Sequence, residues 1–342
     1  MAGTRSDVAG SFTLMLDGMT CGFLKAVDGG GIFADVAQER PVPGQFTKKH
    51  LAGVKYEDIQ LTVGFSMAQA LYDWMAATLA RSYLRKDGAI VASDFKQQAK
   101  TERQFFHALI TEIGFPALDG ASKEAGYLTV KLSPELIRNA AASGSAPGQK
   151  PVPQKQFVTS NFRLELDGID CTKVSRIEAF TVKQPIATDV IGQARDIANQ
   201  PGPVEIPNLR VTIAAAGAAT WEKWFADFVI AGNDGDDREK SGAIVFLGPD
   251  RKQEFGRVGL SHVGIFALHH PSPQAGEAIQ HVVADLYCEG MKLQIGKPAP
   301  QPPPVAPPPP APPVEPVEPV RPVPSPIDRP TPVSPVVRPP LR

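Results

Sequence analysis

Ser11-Phe-Thr-Leu-Met-Leu-Asp-Gly18 returns 150 residues later as Asn161-Phe-Arg-Leu-Glu-Leu-Asp-Gly168. At the same offset Phe12 falls on Phe162, Leu14 on Leu164, Leu16 on Leu166 and Cys21 on Cys171. Further along, Ile59, Leu61 and Val63 fall on Leu209, Val211 and Ile213, and Trp74 falls on Trp224. Gly88-Ala-Ile-Val91 recurs as Gly242-Ala-Ile-Val245, now shifted by 154, so a few residues were inserted in between. A period this long is too large for a solenoid, whose units run to a few tens of residues. It predicts two copies of one globular unit, and repeated units of this kind build surfaces, rings and pseudo-symmetric assemblies.

The chain has 342 residues, enough for two such units, each with a core of its own. The net charge of −1, with Lys and Arg dispersed, argues against sequence-specific nucleic-acid binding and against an anionic membrane as partner. Three cysteines (Cys21, Cys171, Cys288) are too few and too scattered for a disulfide framework or zinc site. Cys21 and Cys171 are expected to be small buried residues at equivalent strand positions. No apolar leader opens the chain and no window is long and apolar enough to span a membrane. The expectation is synthesis in the cytoplasm and release within a particle.

Alternation at Phe12, Leu14 and Leu16 predicts a half-buried strand, Asp17-Gly18 a hairpin turn, and Cys21 to Val27 the return strand. Residues 36–54 hold Arg40-Pro-Val-Pro-Gly44, two lysines and a histidine, which predicts a long exposed arm. Asp58-Ile-Gln-Leu-Thr-Val63 reads as a strand. Met67 to Arg81 reads as a helix with Leu71, Trp74, Met75 and Leu79 as its buried stripe. Strands are expected near 89–91, 102–113 (broken by Gly114-Phe-Pro116) and 127–132. The second copy repeats this order: a hairpin of 162–166 with 173–180, an arm over 189–207, a strand at 208–214 and a helix over 218–230. Its last strands fall at 243–246, 257–267 and 278–286. The domain boundaries follow: 1–137, a linker at 138–157 of Ala, Ser, Gly, Pro and Gln, then 158–296. From 297 to 342, 21 of 46 residues are proline. That tail cannot pack a core and is expected to be disordered polyproline II, about 140 Å long if fully extended, a spacer or a docking tether.

Leu51-Ala-Gly-Val-Lys-Tyr-Glu-Asp-Ile-Gln-Leu-Thr-Val-Gly64, followed by Leu71-Tyr-Asp-Trp-Met75, resembles the tail-tube protein family of contractile phages, which also supplies the inner tube of phage-like contractile injection systems. Gly53, Lys55, Tyr56, Ile59, Leu61, Gly64, Leu71 and Trp74 carry the resemblance, which covers most of residues 11–138. In the second copy Leu209, Val211, Ile213 and Trp224 persist, while the Gly-Xaa-Xaa-Lys-Tyr segment becomes Gly202-Pro-Val-Glu-Ile206. The resemblance implies an α+β, mainly β fold: two tandem β-barrel or sandwich domains, each with one flanking helix. It implies a homo-oligomer, either a trimer with pseudo-sixfold symmetry or a hexameric ring, assembled with tube, baseplate, hub or sheath proteins. The arm residues Arg40, Pro43, Gly44, Lys48, Lys49, His50, Lys55 and Tyr56 are the expected subunit interface. Phe12, Leu61, Trp74, Phe162, Val211 and Trp224 are the expected core anchors.

Catalytic signatures are missing from the sequence. His50, His107, His262, His269, His270 and His281 show no metal-ligand spacing. Asn233-Asp-Gly-Asp-Asp237 lacks the spaced ligands and terminal Glu of a calcium loop, so a polar turn is expected. Asp28-Gly-Gly-Gly31 is not followed by Gly-Lys-Ser/Thr, and no nucleophile elbow is present. The expectation is a structural ring or tube component with no enzyme activity, metal or cofactor. The alternative is a non-catalytic docking module that tethers cargo or a partner through its proline tail.

Overall fold

Short alternating runs can bury one face only in sheets, and the two helical stripes can do so only against those sheets. The computed structural model describes residues 10–39, 46–145, 147, 156–191, 196–271 and 280–295. The first half contains β1 (Ser11–Leu16), β2 (Met19–Leu24), β3 (Ala26–Gly29), β4 (Ile32–Gln38), β5 (Lys49–Tyr56), β6 (Ile59–Val63) and α1 (Gln69–Leu79). It continues with β7 (Lys86–Ser93), β8 (Ala99–Phe115), β9 (Leu118–Asp119), β10 (Leu128–Ser133) and β11 (Leu136–Ala141). The second half contains β12 (Phe162–Leu166), β13 (Val174–Ile177), β14 (Phe180–Lys183), β15 (Ile186–Ile191), β16 (Asp196–Pro201) and β17 (Leu209–Ala214). Then come α2 (Ala219–Phe225), β18 (Lys240–Leu247), β19 (Glu254–His269) and β20 (His281–Ile295).

Two large sheets result. In one the strand order is β2-β1-β7-β8-β10-β6-β3; in the other it is β12-β18-β19-β20-β17-β13-β9. Six consecutive positions agree: β1-β7-β8-β10-β6-β3 recurs as β12-β18-β19-β20-β17-β13. The registers agree as well. Leu14 faces Ile90 as Leu164 faces Ile244, and Leu61 faces Val130 as Val211 faces Ala284. Even the backbone kinks match: His107 in β8 and His262 in β19 both take positive φ, 51° and 53°. Neither strand path closes on itself among the described residues, so the sheets are open rather than full barrels.

Each sheet borrows a strand from the other half. β14 pairs with the end of β8, and β9 pairs with β13. One hydrophobic core therefore runs through both halves, and residues 1–300 form a single compact unit. Its centre is aromatic: Phe115 stacks on Phe180 at 4.7 Å, and Phe65 and Phe157 lie 5.0 and 5.4 Å from Phe246. The remaining unit, 301–342, and with it the proline-rich tail expected from 297, lies outside the described residues.

Helix α1 forms where the apolar stripe predicts. Trp74, Leu71 and Met75 are fully buried. No side chain caps its N-terminus. Tyr72, a stripe residue not expected from the pattern, accepts from Met67 N at 2.9 Å and donates to Gly64 O at 2.8 Å, fixing the helix entry instead. Trp74 Nε1 donates to Leu84 O at 2.8 Å. In the second half the helix is short, α2 giving way to a π-helical turn at Ala226–Ile230. Trp221, also unforeseen, is fully buried beside Trp224.

Several sequence expectations are corrected. β12 does not form a hairpin with β13. At the first turn both Asp17 and Gly18 take positive φ, 49° and 78°, the twist a two-residue hairpin needs; at the second only Gly168 does. The chain turns away after one bridge, Leu166 to Ile169, and β13 pairs with β17 instead. Cys171 consequently lies outside any strand and is only partly buried. Gly114-Phe-Pro does not break β8 early, because the strand runs to Phe115. Part of the expected linker is strand: β11 reaches Ala141 along β8, and Phe157 is core. β20 runs nine residues past the expected end, to Ile295.

Candidate assembly site: the two ribbons

Beyond the sheets the chain throws out two antiparallel ribbons, β4–β5 and β15–β16. They are the same device. Val36 faces Leu51 and Ala37 faces His50; 150 residues on, Ile186 faces Pro201 and Ala187 faces Gln200. Gln38 faces Lys49 as Thr188 faces Asn199, and Phe33 faces Lys55 as Lys183 bridges to Glu205. At the root of the first ribbon Gly29 and Gly30 take φ of 77° and 75°. A side chain at Gly29 would collide with Asp58 O, so the turn needs glycine. Arg103 Nη1 braces the same turn, donating to Gly29 O at 2.6 Å.

The second ribbon is docked on the first half. Its base, β14, adds to β8 with Val182 opposite Ile113. Gln184 N donates to Thr111 O at 2.7 Å. Asn199 is 2% exposed and almost fully bonded. Its backbone N–H donates to Glu135 Oε1 at 2.8 Å, its Nδ2 donates to Ser133 O at 3.2 Å, and its carbonyl accepts from Arg85. Glu135 in turn lies 3.5 Å from Arg85 Nε and 3.4 Å from His107 Nδ1. Buried polar groups are tolerable only when satisfied in this way.

Among the described residues the first ribbon pairs with no other strand. Ile32, Phe33, Val36, Leu51 and Val54 are 46–71% exposed, a run of large apolar side chains of the kind that marks an interaction surface. Of the expected arm residues, Lys48, Lys49 and His50 are exposed at its outer part, Lys55 pairs with Asp35, and Tyr56 packs against the core. His50 Nε2 lies 3.5 Å from Glu39. Such solvent-exposed pairs contribute little to stability. Arg40, Pro43 and Gly44 lie outside the described residues. Among the expected core anchors Leu61, Trp74 and Val211 are fully buried and Trp224 is 6% exposed, whereas Phe12 and Phe162 are half-buried at the edge of the core.

A polar cluster in the second half has no spacing signature that would announce it. Tyr287 donates to Glu239 Oε1 at 2.6 Å, and His262 Nδ1 lies 2.7 Å from Glu239 Oε2. The Glu239 side chain is 6% exposed. Glu289 completes a group whose ligand-type atoms lie within 4.8 Å of one another. Hydrogen bonding to Glu239 holds the His262 imidazole above its ordinary range, and burial raises Tyr287. Burial also pushes the Cys21 thiol up to about 11 and Cys171 up to about 12, so neither is a thiolate at neutral pH. Asp236–Arg238, overlapping the end of the acidic run Asn233–Asp237, is a single 3-10 turn.

The model of the T4-like virus tail tube protein gp19 family matches residues 10–138, which span the first half. Among solved structures, the chain is similar to a chain of the PVC extracellular contractile injection system sheath-tube complex in the extended state. Identity is 18% over 41% of this chain and 95% of that one, with a TM-score of 0.37. A chain of the anti-feeding prophage cap (AFP tube terminating cap) is 20% identical over 42% of this chain and all of that one, at a TM-score of 0.33. Hcp1 from Flavobacterium johnsoniae is 10% identical over 39% of this chain and 96% of that one, at 0.24. No curated protein matches the chain.

Proposed function

We propose that the chain is a structural, ring-forming component of a phage tail or phage-type contractile injection particle, built from two fused tube-type units. The family match of residues 10–138 supports the first unit, and the recurrence of strand order and ribbon register supports the second. One observation carries the ring: the second half lays its ribbon across the first half, which is how neighbouring copies of such a unit would hold one another. Three chains then supply six units, a trimer with pseudo-sixfold symmetry. The partners in this reading are stacked tube, hub, baseplate or sheath proteins. Among the described residues no helix is long and apolar enough to cross a membrane.

Light scattering coupled to gel filtration tests this, with negative-stain microscopy of the same peak. The expected result is three chains in a hollow ring. A chain that stays monomeric at every concentration would overturn the reading and favour a docking module. Deleting residues 41–50 from the free ribbon should leave the unfolding midpoint within a few degrees of the parent and abolish the ring.

A further inference from the structure

The docked ribbon has a receptor, and the second half carries the same receptor empty-handed. The β-ladder registers fix the correspondence. Ala108 faces Lys86 as Val263 faces Lys240, and Leu132 faces Ile110 as Leu286 faces Ile265. Counting along the strands from these pairs, Arg85, His107, Ser133 and Glu135 of the first half become Glu239, His262, Tyr287 and Glu289 of the second. Arg85, Ser133 and Glu135, which bond Asn199, and His107, which lies against Glu135, thus correspond to the four residues of the polar cluster. The edge of β8 that accepts Val182 at Ile113 corresponds to β19 at Leu268, where no strand is paired on that side among the described residues. Phe266, beside it, is 46% exposed. The helices agree: α1 packs across onto β20 of the other half, with Leu79 buried, whereas its counterpart Val229 is 40% exposed and the neighbouring Ile230 is 74% exposed.

We infer that Glu239, Tyr287, Glu289 and the outer edge of β19 at Leu268 receive the free β4–β5 ribbon of a second copy of this chain. The inference rests on the ring reading and names its interface. Ile32 lies opposite Leu268 and Phe33 opposite Ala267, so the ribbon's apolar face covers Phe266 by strand addition. Lys49 takes the place of Asn199. Its backbone N–H meets Glu289 as that of Asn199 meets Glu135, and its ammonium lies beside Glu239. The charges have changed together. Where the first half offers Arg85 to a neutral asparagine, the second offers Glu239 to a lysine flanked by Lys48 and His50. A carboxylate lodged at 6% exposure has reason to be there when a cation arrives to meet it. The contact is head-to-tail, the kind that builds a ring when its rotation closes.

The test uses the full chain. Lys49→Glu sets a carboxylate against Glu239, and Glu289→Lys removes the acceptor of the Lys49 N–H; both change exposed side chains and should each weaken association by about tenfold or more, read by light scattering across a dilution series. Lys49→Arg, which keeps the cation, should assemble like the parent. In parallel, a chain carrying Ile32→Cys and Leu268→Cys should form disulfides between copies under mild oxidation. If both single variants assemble like the parent, or Lys49→Arg fails to assemble while its circular dichroism is native, the charge contact is overturned. Rings that form without the Ile32–Leu268 cross-link overturn the docking register while leaving the ring standing. A parent chain that is monomeric throughout overturns both.

Discussion

The two halves share a strand order and differ in what has happened to their ribbons. The β15–β16 ribbon is anchored: Asn199 is buried and held by Glu135, Ser133 and Arg85. The β4–β5 ribbon, built on the same register, exposes Phe33, Val36 and Leu51 to solvent. Local pairing alone therefore makes the ribbon, and its surroundings decide whether its apolar side is covered. A two-stranded ribbon is marginal alone and gains stability from the surface that covers it. Within the chain that surface covers β15–β16, while β4–β5 keeps its apolar side chains exposed.

The comparison makes predictions, the largest at the helices. Trp74 is fully buried with its indole N–H bonded to Leu84 O, so Trp74→Ala should cost about 3–5 kcal/mol through the cavity it leaves. Trp224 is 6% exposed, its Nε1 is buried with no acceptor among the described residues, and Lys240 sits 5.4 Å from its ring. Trp224→Ala should fall at the lower end of that range. Urea unfolding of both variants decides it; equal losses would mean the two helices are docked alike. Next come the ribbons. Asn199→Ala leaves Ser133 O without its side-chain donor and should cost about 1–3 kcal/mol, whereas Lys49→Ala in a dilute chain should stay within about 0.5 kcal/mol of the parent. A destabilised Lys49→Ala monomer would mean the first ribbon is held within its own chain.

What the sequence shows of this fold follows the reach of each interaction. Leu14, Leu16, Leu61 and Val211 announce strands because their alternation is local and their burial complete. Trp74 and Leu71 announce α1 for the same reason. The two exchanged strands do not announce themselves. β9 is two residues and β14 is four, and both exist because a distant half presents an open edge. β11 is similar: Arg138-Asn-Ala-Ala141 has linker composition and becomes strand because β8 is 17 residues long and needs a partner. The arm was legible as an exposed segment, but its receptor was not. Glu239, His262, Tyr287 and Glu289 sit up to 50 residues apart on three strands or their margins, and only the ladder registers bring them together. Asn199 likewise looks like any polar arm residue until its burial is seen.

The smallest effect concerns the empty receptor itself. His262 is exposed, and its hydrogen bond to Glu239 raises its pKa, with Glu289 and Asp236 adding to the same direction. A raised histidine pKa contributes stability that is fully present below the ordinary histidine value and is lost as pH rises through the raised one. In the isolated chain the His262–Glu239 contact should therefore fade as pH rises through the raised His262 value, and a proton NMR titration should show the His262 midpoint falling in Glu239→Gln. An unmoved midpoint would remove Glu239 as the cause. Assembly should move the other way. Protonated His262 neutralises the carboxylate that Lys49 needs, so releasing that proton frees Glu239 for the incoming lysine. Association measured on either side of the His262 midpoint should tighten as pH rises, and this trend should vanish in Lys49→Ala. If the trend survives that substitution, the histidine acts on some other contact and the ribbon's lysine is not its competitor.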